Sequence, residues 1–360
     1  MPSTLLMMTV SGAVLAGFLL AVFPVMAARH RDRGRIPWSA ALFIPALLAA
    51  GLATDLIGGR QIVFIGSLLA GALVMSLSRP HGSSNLFPSV LLALGEACLA
   101  IGSAVLMPEA FTADNPTASI NLGMMFVALG GLVGGAVSRL WPEWRIPGRF
   151  SITIALLCLV PAILAAITGQ PERLAGSPSH GANPGIIVAA ALVLALVYPL
   201  EALAGCWSQE EWRAGTLAPP GLAFAVAFLS SRFLFAYLCD SGMIARGTEG
   251  WAWIFLAVAA AVLLGNMASE GVSRAAVAFA ALGLLLGPLQ PTLLGILFDS
   301  ISPGERGSAT GFVLVAGAAS AMGLTLTGAR SQGGRANLHV MLWLALLATG
   351  AALALALLPV

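Results

Sequence analysis

The chain has 360 residues, of which 59% are hydrophobic and 9% charged, with a formal net charge of +2. Soluble domains carry about 25% charged residues, so this composition excludes a soluble globular protein, and the near-neutral balance points to no nucleic-acid partner. All 17 basic residues are arginine, which rules out Schiff-base catalysis and a phosphate-loop lysine.

Apolar runs bounded by glycine, proline or charge predict membrane spans over 5–28, 36–54, 61–78, 86–107, 118–138, 150–168, 185–206, 219–239, 250–268, 272–298, 307–328 and 338–358. A span needs about 20 residues, so twelve of them leave only short loops. The first run lacks a basic leader and reads as a retained span rather than a cleaved signal. Pro24, Pro45, Pro161, Pro199, Pro288 and Pro291 fall inside these runs, and each removes a backbone donor and bends a helix. With two prolines three residues apart, the tenth span is the one expected to be broken or hinged.

The longest polar stretch, 169–184, holds Glu172, Arg173, His180 and Asn183. It divides the chain into an N-terminal six-helix half (1–168) and a C-terminal six-helix half (185–360), which suggests two structural repeats. Between spans two and three lies a tight link, Gly51 to Arg60, with Asp55 and Arg60 inside it and Gly58 and Gly59 to turn the backbone. A degenerate second copy, with Asp240 and Arg246, stands between spans eight and nine.

Ionisable residues inside spans are costly and mark function by default. Glu96 lies ten residues into the fourth span, about 15 Å deep, near the middle of a hydrocarbon core about 30 Å thick. A carboxyl group there is placed to gain and lose a proton, as proton coupling requires; the alternative is a protonated acid bonded to a neighbouring helix. Glu201, just after Pro199, is the second such candidate. Arg232 in the eighth span cannot lose its proton and needs a partner. Depth arithmetic favours Glu96 over Glu201, which would lie roughly 15 Å away along the membrane normal; an anionic solute or snorkelling to an interface are the other options. Asn121, Gln290 and Asn266 are uncharged candidates for contacting a polar solute, with interhelical bonding as the ordinary alternative. Trp207 is an interfacial anchor or a stacking platform for a sugar. The glycine pairs 130/134 and 131/135 permit close helix approach. Cys98, Cys158, Cys206 and Cys239 are scattered without a CxxC, the histidines do not cluster, and no HExxH, GxSxG or phosphate-loop pattern appears. The expectation is therefore no cofactor, no metal and no enzymatic activity.

The Gly51–Arg60 link resembles the loop between helices two and three of the major facilitator superfamily. Gly51, Asp55, Gly58 and Arg60 match its pattern, whereas Leu56 and Gly59 replace residues usually basic there. The resemblance continues through Asn121 to Phe126 with Gly130, Gly131, Gly134 and Gly135, through Ser231-Arg232, and through Pro291-Thr292, Asp299 and Pro303-x-Glu305-Arg306-Gly307-Ser308. Tyr198-Pro-Leu-Glu201 with Trp207 is similar to the fucose-permease-type sugar transporters.

What the resemblance implies is an all-α integral membrane protein with twelve transmembrane helices in two bundles around a central cavity. It would be a monomeric secondary transporter in the cell (inner) membrane. Its partners would be a small-molecule substrate such as a sugar or related metabolite, protons and the lipid bilayer. In the family the matched loop forms a charge-linked latch that opens and closes during transport, which makes Asp55, Arg60, Asp240 and Arg246 gating candidates. Two alternatives stay open: an exporter of amphipathic compounds, and a non-transporting sensor or scaffold. The family orientation puts arginine-rich links, Arg29 to Arg35 among them, outside, and the positive-inside rule argues for the reverse.

Overall fold

The computed structural model describes residues 2–21, 38–77, 86–111, 115–140, 148–168, 184–213, 220–244, 254, 257–258, 260, 272–326, 343–344 and 346–351. Among them there is no strand. The helices are α1 (Pro2–Leu20), α2 (Trp38–Ile57), α3 (Gly59–Leu77), α4 (Leu86–Phe111), α5 (Pro116–Leu140), α6 (Gly148–Cys158), α7 (Val160–Ile167), α8 (Pro184–Arg213), α9 (Pro220–Asp240), α10 (Val272–Leu286), α11 (Leu289–Ser300) and α12 (Arg306–Leu326), with a 3-10 turn at Pro303–Glu305. Helices are what apolar stretches must form in lipid, because every backbone group has to find its partner inside the segment. Among the described residues, seven helical stretches are long and apolar enough to cross a bilayer, and two shorter ones are Ala41–Ile57 and Ile152–Ile167. Most of the expected ninth and twelfth spans, and nearly all of the 169–184 linker, lie outside the described residues.

Proline acts differently at different places. Pro45 and Pro199 sit inside unbroken helices, whereas the sixth expected span breaks at Leu159, ahead of Pro161. The tenth breaks between Leu286 and Leu289, at the expected pair Pro288 and Pro291.

The chain divides into two compact units. The first comprises Met1–Thr112, Phe126–Ala182 and Ile301–Phe312, the second Ala113–Met125, Asn183–Ser300 and Val313–Val360. In the first unit α4 is the central helix, packed against α1, α2 and α3. Its core joins Met8, Leu15, Leu19, Leu73, Leu92 and Leu99. Here α1 and α5 touch backbone to backbone. A Cβ on Gly130 would lie 1.9 Å from the Val14 carbonyl oxygen, and one on Gly17 would lie 1.7 Å from that of Val127. Gly135 has open space instead, so of the expected glycine pairs it is 130/134 that faces α1. Gly130→Ala is expected to destabilise the protein by about 1–3 kcal/mol or more, as overpacking against rigid backbone does. Gly135→Ala should be silent, and thermal denaturation in detergent compares the two. In the second unit α9 packs along α10, and α8 lies against α9 and α11. Ala118, Phe235 and Cys239 form a small core with Ile244.

Candidate functional site

Three polar sites stand out, each within one unit. The first is built on the predicted link. α2 ends at Ile57, and Gly58 adopts φ 98°, a left-handed conformation glycine reaches without strain, before α3 starts. This turn leaves Asp55 in the last turn of α2. Its Oδ1 accepts the Gly307 N–H at 2.7 Å and its Oδ2 the Ser308 N–H at 2.8 Å. Those amides open α12, where first-turn N–H groups lack helical acceptors and the helix dipole favours an anion. Gly307 permits the approach, since a Cβ there would lie 2.5 Å from the Gly51 carbonyl oxygen. Asp55 is thus held by backbone amides of α12, not by Arg60, which is half-buried in the first turn of α3. The neighbouring Arg306 interacts electrostatically with Glu109 on α4, a residue the sequence reading did not single out.

The second site gathers at the α10–α11 break. Arg232 on α9 is 3% exposed. Its Nε donates to the Gly287 carbonyl at 2.9 Å, its Nη1 donates to the Met124 carbonyl on α5, and its guanidinium carbon sits 4.4 Å from the centre of the Phe228 ring. Its charge interacts with Glu201, whose carboxyl accepts the backbone N–H of Gln290 at the start of α11. The expected wide separation of Glu201 from Arg232 is therefore corrected. α8 runs for 30 residues, about 45 Å, so Glu201 lies near its middle rather than near an end. Asn121, fully buried, donates to the Thr117 carbonyl at 2.9 Å and contacts the Thr292 hydroxyl at 3.4 Å. Among the described residues, Glu201 Oε1 and Asn121 Oδ1 have no hydrogen-bond partner. Gln290 is buried beside them in sequence with Pro291 and Thr292. Gly287 and Met124 were missed because they act through carbonyls. Gly287 was nonetheless readable, since it stands four residues before a proline.

The third site is Glu96, 3% exposed on α4, with Oε2 lacking a partner among the described residues. Ser103, seven residues on along the same helix face, is also buried with its hydroxyl unpartnered. Asp240 ends α9, exposed, and is followed by Gly242 at φ 74°. Arg246, Asn266 and the side chain of Trp207 lie outside the described residues. Among those described, no three His, Cys, Asp or Glu side chains converge to hold a metal.

An all-helical multi-pass membrane protein with these helix breaks defines a class, and comparison with solved structures supplies the fold: it is that of the major facilitator superfamily. The structure is similar to the E. coli fucose:proton symporter FucP, with TM-score 0.68, 13% identity, and coverage of 98% of this chain and 97% of that one. It is also similar to the proton:xylose symporter XylE, with TM-score 0.70, 12% identity and coverage of 98% and 94%. A third likeness is to the human organic anion transporter TETRAN, with TM-score 0.67, 13% identity and coverage of 98% and 98%. No family model and no curated protein matches the sequence.

Proposed function

We propose that this protein is a secondary active transporter that moves a small polar solute across the cytoplasmic (inner) membrane by alternating access, driven by protons. The observation that carries the reading is the buried polar cluster at the α10–α11 break, with Glu201 Oε1 and Asn121 Oδ1 lacking donors. Leaving such a group unsatisfied costs about 1–3 kcal/mol, which a solute carrying hydroxyl donors would offset. A sugar or related polyol fits that need, with Asn121, Gln290 and Glu201 as its contacts and Trp207 as a further candidate. FucP and XylE are proton symporters of fucose and xylose, which supports the same coupling here. Glu96 is the proposed proton carrier, with Glu201 second.

Reconstitution into liposomes tests the proposal. A solute identified by thermal stabilisation, through linkage of binding to stability, should accumulate against its gradient when a pH gradient is imposed. Binding without flux would overturn transport in favour of a sensor.

The Asp55 clamp is the proposed gate, with Arg60 and Glu109–Arg306 beside it and Asp240 and Arg246 as the counterpart in the second half. Asp55→Ala removes two charge-assisted bonds to α12, and hydrogen bonds to charged groups contribute about 1.5–3 kcal/mol each at most. The expected outcome is increased labelling of a cysteine placed at Ser308, with transport slowed, as measured by thiol-reactive probes in membranes.

A further inference from the structure

In an α-helix the N–H of residue i bonds the carbonyl of residue i−4. The carbonyl of Gly287 would therefore look to residue 291, which is a proline and has no N–H. Gly287 is buried, so its carbonyl cannot turn to bulk water, and an unpaired buried backbone group costs about as much as a lost hydrogen bond. The donor that meets it is Arg232 Nε at 2.9 Å, from a different helix. The same guanidinium donates to the Met124 carbonyl on α5 and lies over Phe228. On the other side of the break, the N–H of Gln290 is taken by Glu201. A positive and a negative side chain thus meet the two backbone groups that flank the discontinuity, each with the sign that group prefers.

We propose that Arg232 is a positioning residue rather than a solute ligand. It supplies the donor that Pro291 withholds from Gly287, and by holding Met124 as well it fixes the α10–α11 break to α5. That sets the geometry in which Glu201, Gln290 and Asn121 present themselves. The planar, multi-donor guanidinium suits this work, because its Nε and Nη1 reach two carbonyls on two helices at once; a lysine ammonium is a point charge without that fork. The proposal rests on the transporter reading only in what the geometry is for; the role of Arg232 toward Gly287 stands apart from it.

The test is a double-mutant cycle between Arg232 and Pro291. Pro291→Ala returns a backbone N–H to the Gly287 carbonyl. Arg232→Met, which leaves no donor, should lower the denaturation temperature strongly with Pro291 present and by roughly half as much with Pro291→Ala, as residues sharing one partner couple non-additively. The unpaired Glu201 charge is common to both arms and cancels. If Arg232→Met gives no folded protein, the Arg232→Lys pair provides the same comparison with the charge retained. Solute affinity, read by thermal stabilisation, should recover together with stability. Additive effects on stability would overturn the proposal. So would a loss of affinity for Arg232→Lys that is equal in both backgrounds. A coupled cycle in a protein that shows no flux would refute transport while leaving this role of Arg232 intact, and flux with an additive cycle would do the reverse.

Discussion

Glu96→Gln is expected to abolish uphill accumulation of solute under a pH gradient, down to background, while solute exchange across the membrane continues. The substitution keeps the shape and the polar atoms of the side chain and removes only its capacity to bind and release a proton. Glu96 is 3% exposed in the middle of α4, packed among the apolar residues of the first unit, with one carboxyl oxygen unpartnered among the described residues. Charge at such a place is costly without a partner, so a neutral amide should leave stability unchanged or slightly raised. Exchange requires only the conformational cycle with solute bound; accumulation requires the proton. Unchanged accumulation in the variant would remove Glu96 from the coupling mechanism and shift attention to Glu201. Loss of both exchange and accumulation, with the fold intact, would make Glu96 a solute contact or a structural residue instead.

Arg232→Met is expected to produce the largest loss of stability, about 3–5 kcal/mol, because it removes the donor to two buried carbonyls and leaves the Glu201 carboxyl without the positive charge it interacts with. Arg232 is buried in the second unit and Glu201 half-buried there, with one carboxyl oxygen buried and without a donor among the described residues. Combining Arg232→Met with Glu201→Leu should recover most of that loss, since replacing a whole buried pair by apolar groups is often nearly neutral. A shortfall of about 1–3 kcal/mol should remain, the cost of the Gly287 carbonyl left without its donor. Denaturation in detergent measures all three variants. A double variant no more stable than Arg232→Met alone would show that the Glu201 charge is not what the single substitution exposes.

Much of this architecture was legible in the chain. The Gly51–Arg60 link reads as a tight turn, and Gly58 within it takes a left-handed conformation that glycine reaches without strain. Pro288 and Pro291 announce a break, and it falls between Leu286 and Leu289. Other signals were ambiguous. Pro199 looked the same in sequence as Pro161, yet α8 runs through it while the sixth span breaks ahead of Pro161. Glu201, two residues past Pro199, lies within electrostatic reach of Arg232 on another helix, where counting residues along the spans does not place it. Asp55, expected inside the link, lies in the last turn of α2, and its partners were not visible, because they are backbone amides 252 and 253 positions away.

By itself, then, the order of residues determined that this is an all-helical membrane protein. Long apolar runs leave the backbone no partner but itself, and glycine and proline mark where that self-pairing stops. Which polar group meets which was decided only by the tertiary structure. Pairing across helices depends on the depth and rotation at which separate helices settle, and those are set by packing, such as the backbone contact of Gly130 with Val14 or of Gly307 with Gly51, rather than by anything local to Arg232, Glu201 or Asp55.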